Sequence, residues 1–342
     1  MPETRRRSRD LLPVSLALSG GGVAGSLFEF GALAALEAGL PGWMGSRSER
    51  IVGTSAGAVT GAVTAFGIDP DDVALALLGS SKHPLRFGRR DFFGLPFGES
   101  SPVLSGAFTN AGVERFIQRV AAYAGRADRF ASLLAPLAVT ATDLDAGERA
   151  VFGPQGANLP TVSRAVRASS AIPGTFRPVR IGDRDYIDGQ IVDPLHLDLS
   201  VSGATRAVLA ISSLVPYRRG PKGPRVTALR APAILDQGGR VSATVKLARS
   251  LAALREARPE VRVFLVEPLP AEVVVLLRTG FDRTSFRAAW EMGVLAVLRL
   301  VVERRRELLT ALGPLGIGVD PDALVARARR HRFDPDPSLV VG

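Results

Sequence analysis

The fold of this chain is decided by two stretches, Val14-Ser-Leu-Ala-Leu-Ser-Gly-Gly-Gly-Val-Ala-Gly25 and Arg50-Ile-Val-Gly-Thr-Ser-Ala-Gly57. In each stretch a short apolar run ends in a glycine turn, and residues with helical spacing of small or apolar side chains follow. These patterns predict strands at 14–18 and 50–53 and helices at 26–38 and 56–66. A strand–turn–helix unit that occurs twice predicts an α/β fold with a mostly parallel sheet and helices on its faces.

The rest of the chain extends this pattern without an internal repeat or a recognisable linker. Further strands are predicted at 137–144, 149–152, 206–211 and 261–266. Further helices are predicted at 71–78, 113–123, 287–312 and 321–330. Two segments rich in glycine, proline and arginine, 82–106 and 216–232, are predicted to be loops, and the first is long enough for a lid. One α/β domain with a helical C-terminal region follows.

Composition excludes several classes of protein. The 342 residues are 46% hydrophobic and 22% charged, as in ordinary globular proteins. Cysteine is absent, so disulfide bonds and cysteine-based nucleophiles or metal sites are excluded. The formal net charge of +10 favours anionic partners. Because the sequence contains no nucleic-acid-binding module, a membrane surface is favoured over nucleic acid.

The N-terminus resembles a secretion signal but is interpreted as part of the fold. Four arginines between residues 5 and 9 precede the apolar residues 11–18. Cleavage near Ala24 would remove the glycine turn, so residues 1–12 are interpreted as a basic tail before the first strand. No apolar run reaches the roughly 18 to 20 residues of a membrane span.

These features predict a cytoplasmic protein in peripheral contact with anionic membranes. The contact is expected through the basic tail and the arginine- and phenylalanine-rich residues 82–97, because basic charge beside apolar rings suits the headgroup boundary. The alternative for residues 82–97 is an ordinary solvated loop whose phenylalanines point inward.

Ser55 lies in the pattern G-x-S-x-G, formed by Gly53-Thr-Ser-Ala-Gly57 between a predicted strand and a predicted helix. Small-residue turns also match the bare pattern, but in this context serine hydrolases hold their nucleophile on a strained strand-to-helix turn. The glycines are needed because side chains at these positions would collide with neighbouring backbone. Ser55 is therefore the candidate nucleophile, and Gly53 and Gly57 are the glycines of its elbow.

The glycine turn after the first strand allows two interpretations. Gly20, Gly22 and Gly25 fit the G-x-G-x-x-G of dinucleotide-binding loops, but no acidic residue is well placed about 20 positions later. The N–H groups of a glycine turn at a helix N-terminus bind an oxyanion as well as a phosphate. Because the second strand ends in the serine elbow, the sequence favours an oxyanion hole formed by Gly20, Gly21, Gly22 and Val23.

The residue pattern alone does not decide which group activates Ser55. Of the three histidines, His83 lies in the irregular segment and His331 near the basic C-terminal end, whereas His196 follows a nearby acidic residue. An α/β-hydrolase triad places its histidine on a late loop, and His196 comes only eight residues after Asp188. Asp188 itself lies in Tyr186-Ile-Asp-Gly-Gln190, a pattern that a plain hairpin turn also produces.

Four blocks resemble those of the patatin-like phospholipases, in the order and at the spacing of that family. They are Ser19-Gly-Gly-Gly-Val-Ala-Gly25, Gly53-Thr-Ser-Ala-Gly57, Ala168-Ser-Ser-Ala-Ile-Pro-Gly-Thr-Phe-Arg-Pro178 and Tyr186-Ile-Asp-Gly-Gln190. The resemblance implies a three-layer α/β/α fold, a catalytic dyad of Ser55 and Asp188 without histidine, and structural roles for Gly25 and Gly189. It implies hydrolysis of acyl esters in phospholipids, lysophospholipids or neutral lipids, with no metal or cofactor.

The resemblance covers roughly residues 14–212 and departs from the family at two positions. The family usually has Arg or Lys where this chain has Ala24, and Gly or Ala where it has Gln190. These differences bear on headgroup preference more than on acyl chemistry. We predict a catalytic core at 13–212, which residues 213–342 complete or flank. The alternatives to the dyad hydrolase are a Ser-His-Asp esterase that uses His196 and a non-catalytic lipid-binding protein with the same fold.

Overall fold

The computed structural model describes residues 11–74, 76, 83–88, 92–94, 106, 108–153, 160–229, 231–278 and 283–330. Most of the basic tail and most of segment 82–106 lie outside the described residues, and the lid prediction lies there with them. The strands are β1 (Val14–Leu18), β2 (Ile51–Thr54), β3 (Leu137–Asp143), β4 (Glu148–Phe152), β5 (Val179–Ile181), β6 (Arg184–Asp188), β7 (Ala207–Ile211) and β8 (Arg262–Val266).

The helices begin and end as follows: α1 (Gly22–Gly39), α2 (Ala56–Phe66), α3 (Pro70–Ala74), α4 (Ala111–Tyr123), α5 (Val162–Ser169), α6 (Ala231–Ala257), α7 (Val274–Arg278), α8 (Arg283–Glu303), α9 (Arg305–Leu312) and α10 (Pro321–Arg330). Among the described residues, no helix combines the length and the apolar character needed to cross a membrane.

The eight strands form one mixed sheet in the order β5-β6-β3-β2-β1-β7-β8, with β4 paired to β3. The central strands β3, β2, β1, β7 and β8 run parallel, whereas β4, β5 and β6 are antiparallel to their neighbours. Leu18 pairs with Gly53 on one side and with Ile211 on the other. Strands β1, β2 and β7 therefore end side by side, and the residues that follow them meet at one edge of the sheet.

Helices cover both faces of the sheet. Successive residues of a strand point to opposite faces, so each central strand contributes side chains to a core on either face. Leu16 and Leu18 of β1 belong to a large core that includes residues of α1, α2, α4 and α8. Ala17 of β1 belongs to a smaller core with Leu247 and Leu254 of α6. This arrangement confirms the predicted α/β fold with a helical C-terminal region.

The C-terminal region is tied to the first helix by two glycines. A Cβ added to Gly31 of α1 would lie 2.1 Å from the carbonyl oxygen of Trp290, and one added to Gly293 of α8 would lie 2.0 Å from that of Phe28. The two backbones touch only because these side chains are absent. Strand β8 also extends the sheet beyond β7. We therefore propose that residues 213–342 complete the domain of residues 13–212.

Two predicted elements are wrong in part. The helix predicted at 287–312 is divided into α8 and α9 at Arg304, whose backbone (φ −115°, ψ 26°) leaves the helical region. The loop predicted at 216–232 ends earlier, because α6 begins at Ala231. Sequence patterns missed α6 because Pro232, Gly238 and Gly239 are poor helix formers and exposed apolar residues obscure its buried face.

Candidate active site

The carboxyl ends of three parallel strands bring three loops together. β1 leads to the glycine turn, β2 leads to Ser55, and β7 leads to Ser213. In open α/β sheets, ligands bind beyond this edge. Strand β6 ends at Asp188, which pairs with Ala141 of β3, next to the pair formed by Thr140 and Thr54. The sheet thus places Asp188 beside the end of β2, where Ser55 follows.

Ser55 occupies a strained turn between β2 and α2. Its φ of 55° and ψ of −115° are unusual for a residue with a side chain. A Cβ added to Gly53 would lie 2.4 Å from the carbonyl oxygen of Gly57, and one added to Gly57 would lie 2.3 Å from that of Leu18. The elbow glycines are therefore required by backbone contacts, as the sequence pattern predicts.

The Ser55 hydroxyl and the Asp188 carboxylate are in direct contact. Ser55 Oγ donates a hydrogen bond of 2.5 Å to Asp188 Oδ2. The other carboxylate oxygen, Oδ1, accepts a bond of 2.9 Å from the backbone N–H of Gln190. Both residues are buried: Ser55 is 3% exposed and Asp188 is 4% exposed. The two residues paired by the family resemblance thus form a hydrogen-bonded pair sheltered from water.

The backbone around Asp188 holds the carboxylate in place. Its N–H donates to the carbonyl oxygen of Ala171 at 3.0 Å, and Thr142 Oγ1 donates to its carbonyl oxygen at 2.9 Å. The next position requires glycine, because a Cβ at Gly189 would lie 2.4 Å from the carbonyl oxygen of Thr140. Burial raises the pKa of Asp188 to about 6, although the bonds from Ser55 and Gln190 oppose the shift. A carboxyl group with this pKa is ionised at neutral pH and accepts a proton more readily than an exposed aspartate.

Two serines outside the predicted site position the backbone of Ser55. The N–H of Ser55 donates to Ser169 Oγ at 2.8 Å, and Ser170 Oγ donates to the carbonyl oxygen of Ser55 at 3.3 Å. Both belong to the block that begins at Ala168, one of the four blocks in which the sequence resembles the patatin-like phospholipases. The structure shows that this block supports the elbow.

The glycine turn forms the N-terminus of α1. Gly21 has a φ of 138° and Gly22 a φ of 62°, so both adopt backbone conformations that favour glycine. The first N–H groups of a helix have no partner within the helix, and here these groups belong to Gly22, Val23 and Ala24. Gly25 is required by close packing, because a Cβ there would lie 2.9 Å from Ser213 Oγ and 3.2 Å from the carbonyl oxygen of Gly20. The turn places backbone donors beside the elbow.

A buried arginine supports the glycine turn from behind. Ser213 Oγ donates to the carbonyl oxygen of Gly20 at 3.1 Å. The guanidinium group of Arg240, on α6, donates to the carbonyl oxygens of Ser213 and Val215 and pairs with Asp236 at 2.9 Å. Arg240 is only 1% exposed. Sequence analysis missed Ser213 and Arg240, because neither residue lies in a motif.

Gln190 closes against the other side of the same turn. A Cβ added to Gly20 would lie 1.9 Å from Gln190 Oε1 and 3.4 Å from Ser55 Cβ. The glutamine side chain therefore occupies space beside Ser55 that a glycine or alanine at position 190 would leave open. This departure from the family pattern lies directly at the site.

An apolar cleft adjoins Ser55. It encloses about 590 Å³, including space open to solvent. Among the residues that the structure describes, its lining includes Phe30, Phe87, Phe92 and Phe116, together with aliphatic residues of α1 and α2. Phe87 and Phe92 come from segment 82–97 and pack against the core, as does Phe93. The partial burial of these three rings favours the alternative of inward-facing phenylalanines, whereas Phe97 lies outside the described residues.

His196 is buried but makes no hydrogen bond to Ser55. Its ring nitrogens lie 3.4 Å from the carbonyl oxygen of Gly189 and 3.3 Å from Arg149 Nη1. Burial lowers the pKa of His196 to about 4, so the ring is neutral at physiological pH. His83 accepts a bond from the N–H of Leu85, and His331 lies outside the described residues. In the described parts of the chain, no cluster of three or more His, Asp or Glu residues is arranged to hold a metal ion.

The fold and the site together define a class of α/β proteins that carry a serine on a strand-to-helix elbow beside a glycine turn. The family model for patatin-like phospholipases matches residues 16–199. The chain belongs to the patatin-like phospholipase family. Members of this family generally hydrolyse lipid esters, which indicates lipid acyl hydrolase activity.

One solved structure to which the chain is similar is the crystal structure of VipD from Legionella pneumophila. The two share 12% sequence identity over 93% of this chain and 74% of that chain, with a TM-score of 0.38.

Proposed function

We propose that this protein is a lipid acyl hydrolase that acts on phospholipids, lysophospholipids or related carboxylic esters, with Ser55 as nucleophile and Asp188 as base. The observation that carries the proposal is the 2.5 Å hydrogen bond between Ser55 Oγ and Asp188 Oδ2 on a strained elbow. The adjoining apolar cleft suits an acyl chain. Membership of the family supports lipid esters as the substrate class.

The first half of the reaction forms an acyl-enzyme. Ser55 Oγ attacks the ester carbonyl carbon while its proton moves to Asp188 Oδ2. Backbone N–H groups of Gly21 and Gly22, with those of Val23 and Ala56, stabilise the negative charge on the carbonyl oxygen. The intermediate then collapses, the carbon–oxygen bond to the leaving alcohol breaks, and Asp188 returns its proton to that alcohol.

The second half releases the fatty acid. Asp188 accepts a proton from water, the resulting hydroxide attacks the acyl carbon, and the intermediate collapses with return of the proton to Ser55 Oγ. The pKa of about 6 for Asp188 suits both halves, because the group must accept and return a proton near neutral pH. Gln190 and Gly20 lie beside Ser55 but do not line the apolar cleft, so we assign the leaving alcohol to their side and expect them to affect headgroup preference.

Labelling with a fluorophosphonate probe tests whether the protein is an enzyme. We expect the wild type to react covalently and Ser55→Ala to remain unlabelled, because the probe requires an activated serine. A folded wild type that does not react would support the non-catalytic lipid-binding alternative instead.

Turnover of a lipid panel distinguishes the dyad from the triad. We expect Asp188→Asn to lower kcat by about 10²- to 10⁴-fold, the usual contribution of a general base. His196→Asn should leave kcat within about twofold, and asparagine suits the left-handed backbone (φ 45°) at this position. Loss of turnover in His196→Asn, with normal turnover in Asp188→Asn, would support the esterase alternative.

A further inference from the structure

Helix α6 carries apolar side chains that face away from the protein. Ile234, Val241 and Val245 are separated by seven and four residues, so they lie on one side of the helix. Each is about half exposed, and Leu235 beside them is 79% exposed. The opposite side of α6 packs Ala243, Leu247 and Leu254 against the protein. These spacings indicate an apolar stripe directed outward, on a helix whose other side is already buried.

A basic loop is fixed to the start of this helix. Residues 216–229 contain no acidic residue, and Arg218, Arg219, Lys222 and Arg225 are exposed. The loop is held by Gln237 of α6, whose side chain accepts a bond from the N–H of Tyr217 and donates one to its carbonyl oxygen, both at 3.0 Å. These two bonds therefore fix the basic loop beside the outward-facing apolar residues of α6.

Most of the net charge of the chain lies in this region. Residues 216–257 contain nine basic and two acidic residues, which is seven of the ten net positive charges. One of the acidic residues, Asp236, is paired with Arg240. We call Ile234, Leu235, Val241 and Val245, with the basic residues of 216–229, the α6 surface.

Helix α6, which carries this surface, contacts the candidate active site at two points. Lys246 Nζ donates to the carbonyl oxygen of Ile191, the residue after Gln190, and Ile191 and Val192 are exposed apolar residues. Arg240 of α6 holds the carbonyl oxygen of Ser213, and Ser213 contacts the glycine turn. Helix α6 therefore contacts both loops that border Ser55, and a bilayer bound to its outward side would be separated from these loops by about the thickness of one helix.

We propose that the α6 surface docks the protein on an anionic lipid bilayer and so presents the active site to its substrate. The proposal rests on the function proposed above. Outward apolar side chains enter the boundary between headgroups and acyl chains, and the neighbouring basic residues contact anionic headgroups. Pairing with a second copy through this surface is disfavoured, because it would bring two regions of the same positive charge together.

Vesicle sedimentation with the Ser55→Ala protein tests the docking, since this protein leaves the lipids intact. Vesicles of phosphatidylcholine alone are compared with vesicles that also contain phosphatidylserine. We expect binding that requires phosphatidylserine and weakens with salt. The double variant Arg218→Gln/Lys222→Gln should lose about fivefold in affinity per residue, and Val241→Gln/Val245→Gln on the order of tenfold.

A matched control comes from α8, which packs on the opposite face of the sheet. Leu295 and Val302 are 46% and 62% exposed, so Leu295→Gln/Val302→Gln removes equally exposed apolar side chains. This control should bind vesicles as tightly as the parent protein. Equal binding by all variants, or parent binding that ignores phosphatidylserine and salt, would overturn the proposal.

Two further measurements keep the docking and the chemistry separate. Sedimentation equilibrium tests whether the apolar stripe is instead an interface between two copies of the chain. If Val241→Gln/Val245→Gln dissociated a dimer and left vesicle binding unchanged, the docking proposal would be overturned. Hydrolysis of a dispersed short-chain ester, with Ser55 intact, should be the same in both α6 variants. Vesicle binding without hydrolysis of any ester would refute the proposed function and leave the docking proposal standing.

Discussion

The two strand–turn–helix units, β1–α1 and β2–α2, have similar sequences but are held in place by different means. The β2–α2 unit is fixed by backbone: the N–H of Gly57 donates to the carbonyl oxygen of Ser19 at 2.7 Å, and Gly57 lies against the carbonyl oxygen of Leu18. The β1–α1 unit is supported by side chains, since Ser213 bonds to Gly20 and Gln190 closes over it.

This difference shows which part of the site can vary. Backbone contacts cannot adjust without moving the sheet, so the position of Ser55 depends mainly on glycines and on strand pairing, and the hydroxyls of Ser169 and Ser170 add to this support. Side-chain contacts come from residues 190, 213 and 240, and a substitution there reshapes the glycine turn without touching the nucleophile. Of the two departures from the family pattern, Ala24 lies in the unit supported by side chains and Gln190 is one of the side chains that contact it.

Gly57→Ala should have the largest effect, because its Cβ would meet the carbonyl oxygens of Leu18 and Ser19 at 2.3 and 2.6 Å. We expect a loss of about 3 kcal/mol in unfolding free energy and a fall of about 10²-fold or more in ester turnover. Urea unfolding and a dispersed ester assay measure these. Gly203→Ala, where an added Cβ meets open space, is the control and should change neither. A stable, active Gly57→Ala protein would show that these backbone contacts do not fix the β2–α2 unit.

Titration of Asp188 should give the next largest effect. Because the pKa of this carboxyl group is about 6, turnover should rise as the pH increases through 6, by about 30-fold between pH 4.5 and 8. The pKa is set by burial within the backbone-held part of the site, so the midpoint should stay the same in Arg240→Met. A midpoint near pH 4 in the wild type would show that the carboxyl group is not the base or is not buried during turnover.

The same pKa predicts a stabilising variant. The pKa of Asp188 in the folded state, about 6, lies above its ordinary value of 3.8, so its ionisation destabilises the fold as the pH rises from about 4 through 6. Asp188→Asn should therefore be more stable than the wild type at pH 8, by up to about 3 kcal/mol, and equally stable below pH 4. Urea unfolding at both pH values checks this. A variant less stable than the wild type at pH 8 would contradict it.

Arg240→Met should have a smaller effect, confined to the unit supported by side chains. The carbonyl oxygens of Ser213 and Val215 lose their donor, which costs about 1–3 kcal/mol of unfolding free energy. We expect kcat to fall about tenfold with little change in KM, because displaced oxyanion donors act in the transition state. Leu312→Ala, which removes a buried side chain far from the site, is the control. An equal fall in kcat in the control would show that Arg240 acts only through stability.

Gly20→Ala should have the smallest effect on turnover, and a second substitution at Gln190 should rescue it. The obstacle to its Cβ is the end of the Gln190 side chain, which can move, so turnover should fall only about threefold. Adding Gln190→Ala should restore it, because the backbone bond from residue 190 to Asp188 remains. The double-mutant cycle measures this coupling. A defect that Gln190→Ala does not relieve would place the obstacle in the backbone and remove the distinction between the two units.

Much of the fold could be predicted because its signals are local. Apolar runs and glycine turns located β1, β2 and α2 to within about a residue, and the same turns identified Ser55 as the candidate nucleophile. The prediction failed where long-range packing overrides local pattern, as for α6 with Gly238 and Gly239 in its interior. The sequence also gave no sign of Ser213 or Arg240, because a single buried serine or arginine has no pattern.

By itself the sequence determined the two strand–turn–helix units, the elbow glycines and the membership of the family, because these depend on residues close together in the chain. Only the tertiary structure decided that Ser55 and Asp188, 133 positions apart, share a hydrogen bond, and that Gln190 and Arg240 support the glycine turn. Strand order and helix packing bring these distant residues together. A local sequence pattern does not indicate which residues distant in the chain will be in contact in the fold.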